Sequence, residues 1–237
     1  MRGLLKAALI SLTGLLLVLG TVLGWLFLYS RDLPDMKALS QFAPKVATTV
    51  SDPCLGIATV AIPHDSIGSN LRVALMAVEG SEDGPSVLEE ATRAFRDQRG
   101  GIRALSSHIS RTMFCIPAKA TVRLEEELRT ALQLERHYSR RELFTIFANR
   151  LYFGENVVGV EEASQHYFHK DPDKLLVEEA ALLAGLVKAP AYFSPTNHPD
   201  RALKRRNEVI DAMVAARALL VSEAEAAKAR PLQVATN

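Results

Sequence analysis

The sequence predicts a mainly helical protein, in which one N-terminal transmembrane helix and a short extended or β arm precede a multi-helix domain. Three observations lead to this prediction. Residues 7–29 are a long apolar run, a capping box at Ser139 opens a helical apolar pattern, and residues 177–187 are small and apolar after an acidic first turn. The rest of the 237-residue chain suits one compact domain with a sizeable core.

Residues 7–29 predict a membrane anchor. About 20 apolar residues span the hydrocarbon core of a bilayer, and this run follows Arg2 and Lys6 and precedes Arg31. It is longer than the apolar part of a signal peptide, and no Ala-x-Ala cleavage site follows it, so we expect it to stay uncleaved. The positive-inside rule places the N-terminus in the cytoplasm and the remaining chain outside, in a single pass.

Two segments separate the anchor from the first candidate carboxylate. Residues 46–62 alternate β-favouring residues with turn residues, which is typical of a short hairpin or an extended arm. Residues 71–78, LRVALMAV, fit a buried helix or a strand equally well on periodicity alone. This apolar run leads directly into Glu79.

Ser139 and Glu142 form a capping box, in which the Ser139 hydroxyl accepts from the amide of residue 142 and Glu142 bonds back to the amide of residue 139. Apolar residues at helical spacing follow and predict a helix with one buried face: Leu143, Phe144, Ile146 and Phe147. We expect this helix to end near Gly154, because glycine accepts a positive φ that other residues resist.

Residues 177–187, VEEAALLAGLV, predict a central buried helix. Glu178 and Glu179 occupy the first turn, where carboxylates suit the helix dipole. The residues that follow are small and apolar, as expected of a tightly packed helix. Pro190 ends the helix, because proline disfavours helix at the residue before it.

Five short segments keep a fixed order in this region: FAN at 147–149, YFG at 152–154, YFHK at 167–170, EAALLAGL at 179–186 and PAYFSP at 190–195. In order and identity they resemble glycosyltransferase family 51, the peptidoglycan polymerases. The resemblance covers roughly residues 33–230 and is strongest over residues 121–213. It implies a lysozyme-like multi-helix glycosyltransferase domain, and it favours a helix for residues 71–78.

The apolar run and the resemblance together set the boundaries that we expect along the chain. These are a cytoplasmic tail (1–6), the anchor (7–29), a juxtamembrane connector and arm (30–62), the family 51-like domain (63–217) and a C-terminal tail (218–237). The expected location is the bacterial cytoplasmic (inner) membrane, with the main domain periplasmic or extracellular.

The reaction that the resemblance implies joins lipid-linked disaccharides. The 4-hydroxyl of an incoming unit attacks the anomeric carbon of the growing chain, which releases the lipid pyrophosphate. This chemistry needs a general base and cations near the pyrophosphate. The implied partners are lipid II, the nascent glycan strand, membrane lipid and cell-wall synthases, and the net charge of +1 gives no reason to expect nucleic acid.

Glu79 is the candidate general base, because it directly follows the apolar run at the place of the family's catalytic Glu-Asp pair. Gly80 then stands where the family has the Asp. Glu82 with Asp83 is a rival alignment, since it keeps both residue types. The alternative is that Glu79 has no catalytic role and only begins a polar loop.

Arg123 and Glu127 are the second pair of candidates. They lie four residues apart and so share one face of a helix, where the family has an Arg-Lys-x-x-Glu motif and this chain has Leu124 in place of the Lys. The resemblance implies that Arg123 neutralises the pyrophosphate, and that Glu127, catalytic like Glu79, orients the pyrophosphate or the second substrate. Without the family context, the pair would be a surface ion pair on a solvated helix.

Residues 101–114, GIRALSSHISRTMF, align with the family's Gly-x-Ser-Thr-Ile-Thr-Gln-Gln-Leu-x-Lys-Asn segment. Arg111 keeps the positive charge of the Lys. Arg103 and His108 replace polar residues, and both can carry positive charge toward the pyrophosphate. Further departures change the polar groups of the donor side: Ala104, Ser107 and Thr112 replace a Thr, a Gln and the Asn.

Other candidates come from the acceptor side and from the cysteines. The resemblance implies that Asn149, Tyr152 and Gly154 form an acceptor-side wall of the cleft. Cys54 and Cys115 are the only cysteines in the sequence, and either a disulfide or one or two buried thiols fits them.

The histidines do not predict a metal site. His166 and His169 lie three residues apart, but no third ligand has diagnostic spacing. We therefore expect no required cofactor. Some family members place a divalent cation, Mg²⁺ or Mn²⁺, near the pyrophosphate, and the sequence does not demonstrate one here.

Two functions of different classes compete. The first is a monofunctional peptidoglycan glycosyltransferase that polymerises lipid II, supported by the anchor and the ordered motifs. The second is a catalytically impaired relative that binds lipid-linked glycan or acts as a cell-wall synthesis scaffold, supported by the altered donor-side residues. Glycan cleavage is a third hypothesis, which rests only on the lysozyme-like fold.

Overall fold

The computed structural model describes residues 36–52, 56–79, 84–96 and 120–235, together with residues 14, 16–17, 19–24, 106 and 109. The chain divides into two compact units, Met1–Asp35 and Met36–Asn237. In the first unit the described residues are helical, and large apolar side chains are exposed there: Leu16, Leu17, Leu19, Val22 and Leu23. Among all described residues, no helix has both the length and the apolar character needed to cross a membrane. Most of the predicted anchor lies outside the described residues, and the boundaries expected along the chain stay predictions.

The second unit is mainly helical, as the sequence predicts. Its described α-helices are α1 (Ser69–Glu79), α2 (Val87–Arg96), α3 (Ala120–His137), α4 (Arg140–Arg150), α5 (Val160–Phe168), α6 (Val177–Leu186), α7 (Pro199–Ala215) and α8 (Val221–Ala229). The described strands form two antiparallel pairs, β1 (Thr48–Ser51) with β2 (Ala58–Ala61) and β3 (Tyr152–Gly154) with β4 (Val157–Val158). Short 3₁₀ helices cover Met36–Phe42, His64–Ile67 and Pro172–Lys174.

α6 is the central helix of this unit. It packs against α1 and α7, and nearly all of its side chains are buried. Gly185 lets α7 come close, because a Cβ at this position would lie 3.0 Å from Cγ of Arg205. The predicted buried helix over residues 177–187 is confirmed, and α1 shows that residues 71–78 form a helix.

α4 begins at the predicted capping box but ends earlier than we expected. The Ser139 N–H donates to Glu142 at 2.8 Å, and the Glu142 N–H donates to the Ser139 hydroxyl at 3.3 Å, which confirms the box. The helix ends at Arg150, before Gly154. The chain instead turns into the β3–β4 hairpin, whose two turn residues, Glu155 and Asn156, have φ values of 52° and 62°. Two positive φ values in a two-residue loop match the twist of a hairpin, so Gly154 belongs to the hairpin and not to a helix end.

A buried ion pair holds the arm against the end of α4. β1 and β2 pair antiparallel, which confirms the hairpin predicted within residues 46–62. Nε of Arg150 donates to Oδ2 of Asp52 at 2.7 Å, and both side chains are almost fully buried. The Arg150 guanidinium also lies 4.9 Å from the centre of the Phe42 ring. The arm is therefore a fixed part of the second unit.

Candidate functional site

Glu79 is the last residue of α1 and is half-buried. α1 buries Leu71, Ala74 and Leu75, and it packs against α6 and α7. A carboxylate at the end of a helix that is packed in this way has a fixed backbone position, which suits a catalytic group. Glu82, the rival candidate, lies outside the described residues.

Glu127 lies on α3, one turn after Arg123, and its side chain is 5 % exposed. The prediction that both residues lie on one helix is confirmed. The Glu127 side chain is too little exposed to belong to a solvated surface ion pair, the alternative to a catalytic role. The Arg123 side chain lies outside the described part of the structure, so its contact with pyrophosphate stays a prediction.

The donor-side cations, Arg103, His108 and Arg111, all lie outside the described residues, and their roles stay predictions. From the same segment the structure describes Ser106 and Ile109, and both are buried. Ile109 packs in the main hydrophobic core, and the Ser106 hydroxyl donates to Glu135.

Glu135 of α3 connects two segments that adjoin the candidate site. Its Oε1 accepts from the Ser106 hydroxyl at 2.7 Å and from the backbone N–H of Val87, the first residue of α2, at 2.8 Å. Ahead of Val87, Ser86 and Glu89 cap α2 reciprocally, and their Ser-x-x-Glu spacing is a signal that could have located the start of this helix. No local pattern points to Glu135, because its partners lie 29 and 48 residues away along the chain.

Asn149 is fully buried, with 0 % of its surface exposed. Its Oδ1 accepts from the N–H of Ile62 at 3.0 Å, and its Nδ2 donates to the carbonyls of Phe42 at 2.9 Å and Ile62 at 2.8 Å. The Asn149 side chain thus joins α4 to Phe42 and Ile62, which lie before and after the β1–β2 hairpin of the arm. The contact of Asn149 with the acceptor substrate stays a prediction. The hydrogen bonds that the structure shows for Asn149 are structural ones, which connect α4 to distant backbone groups.

Tyr152 and Gly154 lie in β3, where the Tyr152 side chain is 39 % exposed. Gly154 has a φ of 90°, and a Cβ at this position would lie 3.2 Å from Cβ of Pro190. Between them, the Phe153 carbonyl accepts from the Tyr167 hydroxyl at 3.0 Å, and burial raises the pKa of that phenol. Of the three predicted wall residues, Tyr152 is the one that solvent reaches.

Comparison with known proteins gives the family of the chain. A family model described as Transglycosylase matches residues 60–214, more than half of the chain. Penicillin-binding protein 1A of Aquifex aeolicus is 30 % identical over 97 % of this chain and 34 % of its own length, and penicillin-binding protein 1F of Bacillus subtilis is 28 % identical over 93 % and 32 %. The chain belongs to the transglycosylase family, glycosyltransferase family 51. It spans about a third of the length of these curated relatives.

All of the predicted site residues of this family 51 chain, from Glu79 to Gly154, fall inside the matched range. A crystal structure of penicillin-binding protein 1A from Haemophilus influenzae aligns with a TM-score of 0.47 and 17 % identity, over 81 % of this chain and 22 % of that chain. A similarity of that size adds nothing to the assignment, which rests on the sequence matches.

The described part of the family 51 chain contains no group of three or more His, Cys, Asp or Glu side chains that could hold a metal ion. His166 instead lies beside Glu155, with Nε2 3.0 Å from a carboxylate oxygen. Cys54 and Cys115 lie outside the described residues, so the choice between a disulfide and free thiols stays open. The expectation that no cofactor is required also stays a prediction.

Proposed function

We propose that this chain is a membrane-anchored peptidoglycan glycosyltransferase that polymerises lipid II into glycan strands and releases the lipid pyrophosphate. One observation carries the proposal: two carboxylates lie at defined places within the family match. Glu79 ends the packed helix α1, and Glu127 is buried on α3. Family membership supplies the class of reaction, and these side chains supply groups that the reaction needs.

Glu79 is the proposed general base. Its carboxylate accepts the proton of the 4-hydroxyl of an incoming lipid II as that oxygen bonds to the anomeric carbon of the growing strand. The bond from this carbon to the pyrophosphate oxygen breaks, and its electron pair leaves with the lipid pyrophosphate. At the anomeric carbon one C–O bond forms as the other breaks, and the proton leaves the hydroxyl for the Glu79 carboxylate.

Positive charge stabilises the departing pyrophosphate in this proposal. Arg111 and Arg123 donate most of the hydrogen bonds to its oxygens. Arg103 and His108 donate in place of the polar residues that the family has at these two positions. Charge-assisted hydrogen bonds to phosphate oxygens gain strength as negative charge develops on the leaving group. Glu127 orients the pyrophosphate or the second substrate. No step is assigned to a divalent cation.

The anchor belongs to the same proposal. The exposed apolar side chains on the described helical residues 16–17 and 19–23 support it, because a large apolar patch marks an interaction surface. Lipid II itself resides in a membrane, so an anchored enzyme and its substrate diffuse in the same bilayer. We place the N-terminus in the cytoplasm, one span in the bacterial inner membrane, and the main domain outside.

A polymerisation assay tests this function. The full chain, purified in detergent, is incubated with fluorescent lipid II, and the products are separated by gel electrophoresis. We expect glycan polymer from the unaltered chain. Glu79→Gln should slow the reaction by at least about 10²-fold, since loss of a general base removes a factor of about 10²–10⁴.

Two matched variants distinguish loss of the catalytic group from a general loss of folding. Glu82→Gln tests the rival alignment and should retain activity. Glu142→Gln changes an exposed carboxylate of the α4 cap and should also retain activity. The proposed function would be overturned if the unaltered chain made no polymer in any detergent while remaining folded.

The altered donor-side segment favours a second candidate function. Ala104, Ser107 and Thr112 replace polar residues of the family motif, as does Gly80 beside Glu79. A chain with these changes could bind lipid-linked glycan, or a cell-wall synthase, without catalysis. In that case a cell that carries Glu79→Gln would grow like the wild type, and the purified variant would bind lipid II as well as the unaltered chain does.

A further inference from the structure

Glu135 lies on the same helix as Glu127, about 12 Å further along the axis at 1.5 Å per residue. It is half-buried, whereas the neighbouring Arg136 is exposed. The structure therefore turns Glu135 toward the interior of the unit, on the helix that carries one of the two proposed catalytic carboxylates.

A single oxygen of Glu135 receives two donors from different parts of the chain. Oε1 accepts from the Ser106 hydroxyl at 2.7 Å and from the Val87 N–H at 2.8 Å. Ser106 is 1 % exposed and Val87 is 0 % exposed, so water competes little for either bond. Hydrogen bonds to an ionised carboxylate are about twice as strong as bonds between neutral groups.

Other contacts hold the same junction. Val87 packs against Ala131 of α3 in a small apolar cluster. Arg140, at the start of α4, donates to the Gly84 carbonyl. Residues 84–87 are thus fastened to α3 and α4, and they follow Glu79 by only a few residues along the chain.

We propose that Glu135 is a positioning residue of the transferase site. It fixes both the start of α2 and Ser106, from the donor-side segment, to the helix that carries Glu127. Glu135 thereby holds residues 84–87, which come shortly after Glu79 in the sequence, in register with Glu127. This inference rests on the proposed function for its effect on activity, but its structural part can be tested independently.

Amide hydrogen exchange tests the structural part on the full chain. Glu135→Ala removes the acceptor for the Val87 N–H, so exchange over residues 84–90 should rise by about tenfold or more, as expected for loss of a local protecting structure. Glu208→Ala, which removes an exposed carboxylate of α7, is the matched control and should leave residues 84–90 unchanged. Unaltered exchange in Glu135→Ala would overturn the proposal, even if the chain made no polymer.

Steady-state kinetics test the effect on chemistry. We expect Glu135→Ala to lower kcat by on the order of 10²-fold, because a misplacement of about 1 Å has an effect of that size. KM for lipid II should change by less than about threefold, because the substrate contacts remain. Glu135→Gln keeps an acceptor oxygen and should recover most of the lost rate, whereas a purely structural defect would lower the fraction of active enzyme and leave its kcat unchanged.

A double-mutant cycle completes the test. Ser106→Ala should lower kcat less than Glu135→Ala does, and the double variant should resemble Glu135→Ala alone, because the two side chains share one hydrogen bond. Additive effects of the two substitutions on kcat would contradict the proposal. If the unaltered chain makes no polymer, the proposed function fails, and the exchange experiment still decides whether Glu135 holds these segments.

Discussion

Within residues 139–195 the start of α4 is set by a local signal, whereas the segments near Glu79 and Glu127 are held by contacts between distant parts of the chain. The cap of α4 joins Ser139 and Glu142, three residues apart. The junction at Glu135 joins residues 29 and 48 positions away. The first region is therefore a scaffold that a pattern can reveal, and the second depends on the assembled fold. Substitutions in the two regions should separate stability from activity.

The largest loss of stability is expected from Arg150→Ala. It leaves the Asp52 carboxylate buried without this partner, and breaking a buried pair in this way costs about 3–5 kcal/mol. Chemical denaturation measures the free energy of unfolding. Lys174→Ala, which breaks an exposed pair with Asp171, is the control and should leave that free energy unchanged. A loss below about 1 kcal/mol for Arg150→Ala would mean that the arm is not held as the structure shows.

Asn149→Ala should have the next largest effect, about 2–3 kcal/mol, because it leaves buried backbone groups of Phe42 and Ile62 without a partner. Below its unfolding temperature the variant should keep the KM of the unaltered chain. Asn197→Ala, at an exposed site, serves as the control. A rise in KM for the lipid II acceptor without a loss of stability would instead support the acceptor-side role suggested by the sequence.

Tyr167→Phe should cost about 1 kcal/mol at neutral pH, through the lost bond to the Phe153 carbonyl. Burial raises the pKa of Tyr167 in the folded chain above its unfolded value of about 10. The unfolded chain therefore loses this proton first, and the stabilisation is present below pH 10 and is lost as the pH rises through the folded pKa. Thermal unfolding should be less sensitive to pH above about 10 in Tyr167→Phe than in the unaltered chain, and equal sensitivity would contradict this.

Ser139→Ala should have a similarly small effect, about 1 kcal/mol, which is typical for loss of an N-cap. Ser139→Asp keeps a capping oxygen and should remain close to the unaltered chain. Both variants should polymerise lipid II at normal rates when folded. A selective loss of activity in Ser139→Ala would show that the scaffold and the site are coupled more closely than we describe.

The sequence predicted the parts of the fold that depend on short-range patterns. The capping box at Ser139, the buried run that became α6 and the β1–β2 hairpin all follow from residues a few positions apart. The end of α4 was misplaced, because glycine at 154 serves a hairpin as readily as a helix end. The positive φ values of Glu155 and Asn156, which decide between the two, have no strong sequence signal.

The candidate site was predicted less completely, for a physical reason. Motif resemblance found Glu79 and Glu127, and the structure adds the burial of Glu127. Asn149 was assigned to the acceptor wall from its place in a motif. The structure buries Asn149 and bonds its side chain to Ile62, 87 residues away, a contact that no local pattern contains. The partners of Glu135 lie 29 and 48 residues away, so no local pattern predicts its role either.

The most direct test of the central claim measures polymerisation of lipid II and thermal stability together for the unaltered chain and for Glu79→Gln. The account predicts glycan polymer from the unaltered chain, a rate lower by at least about 10²-fold for Glu79→Gln, and the same unfolding temperature for both proteins. Polymer made at the same rate by both proteins would remove Glu79 from the chemistry. A folded, unaltered chain that makes no polymer would contradict the assignment of transferase activity.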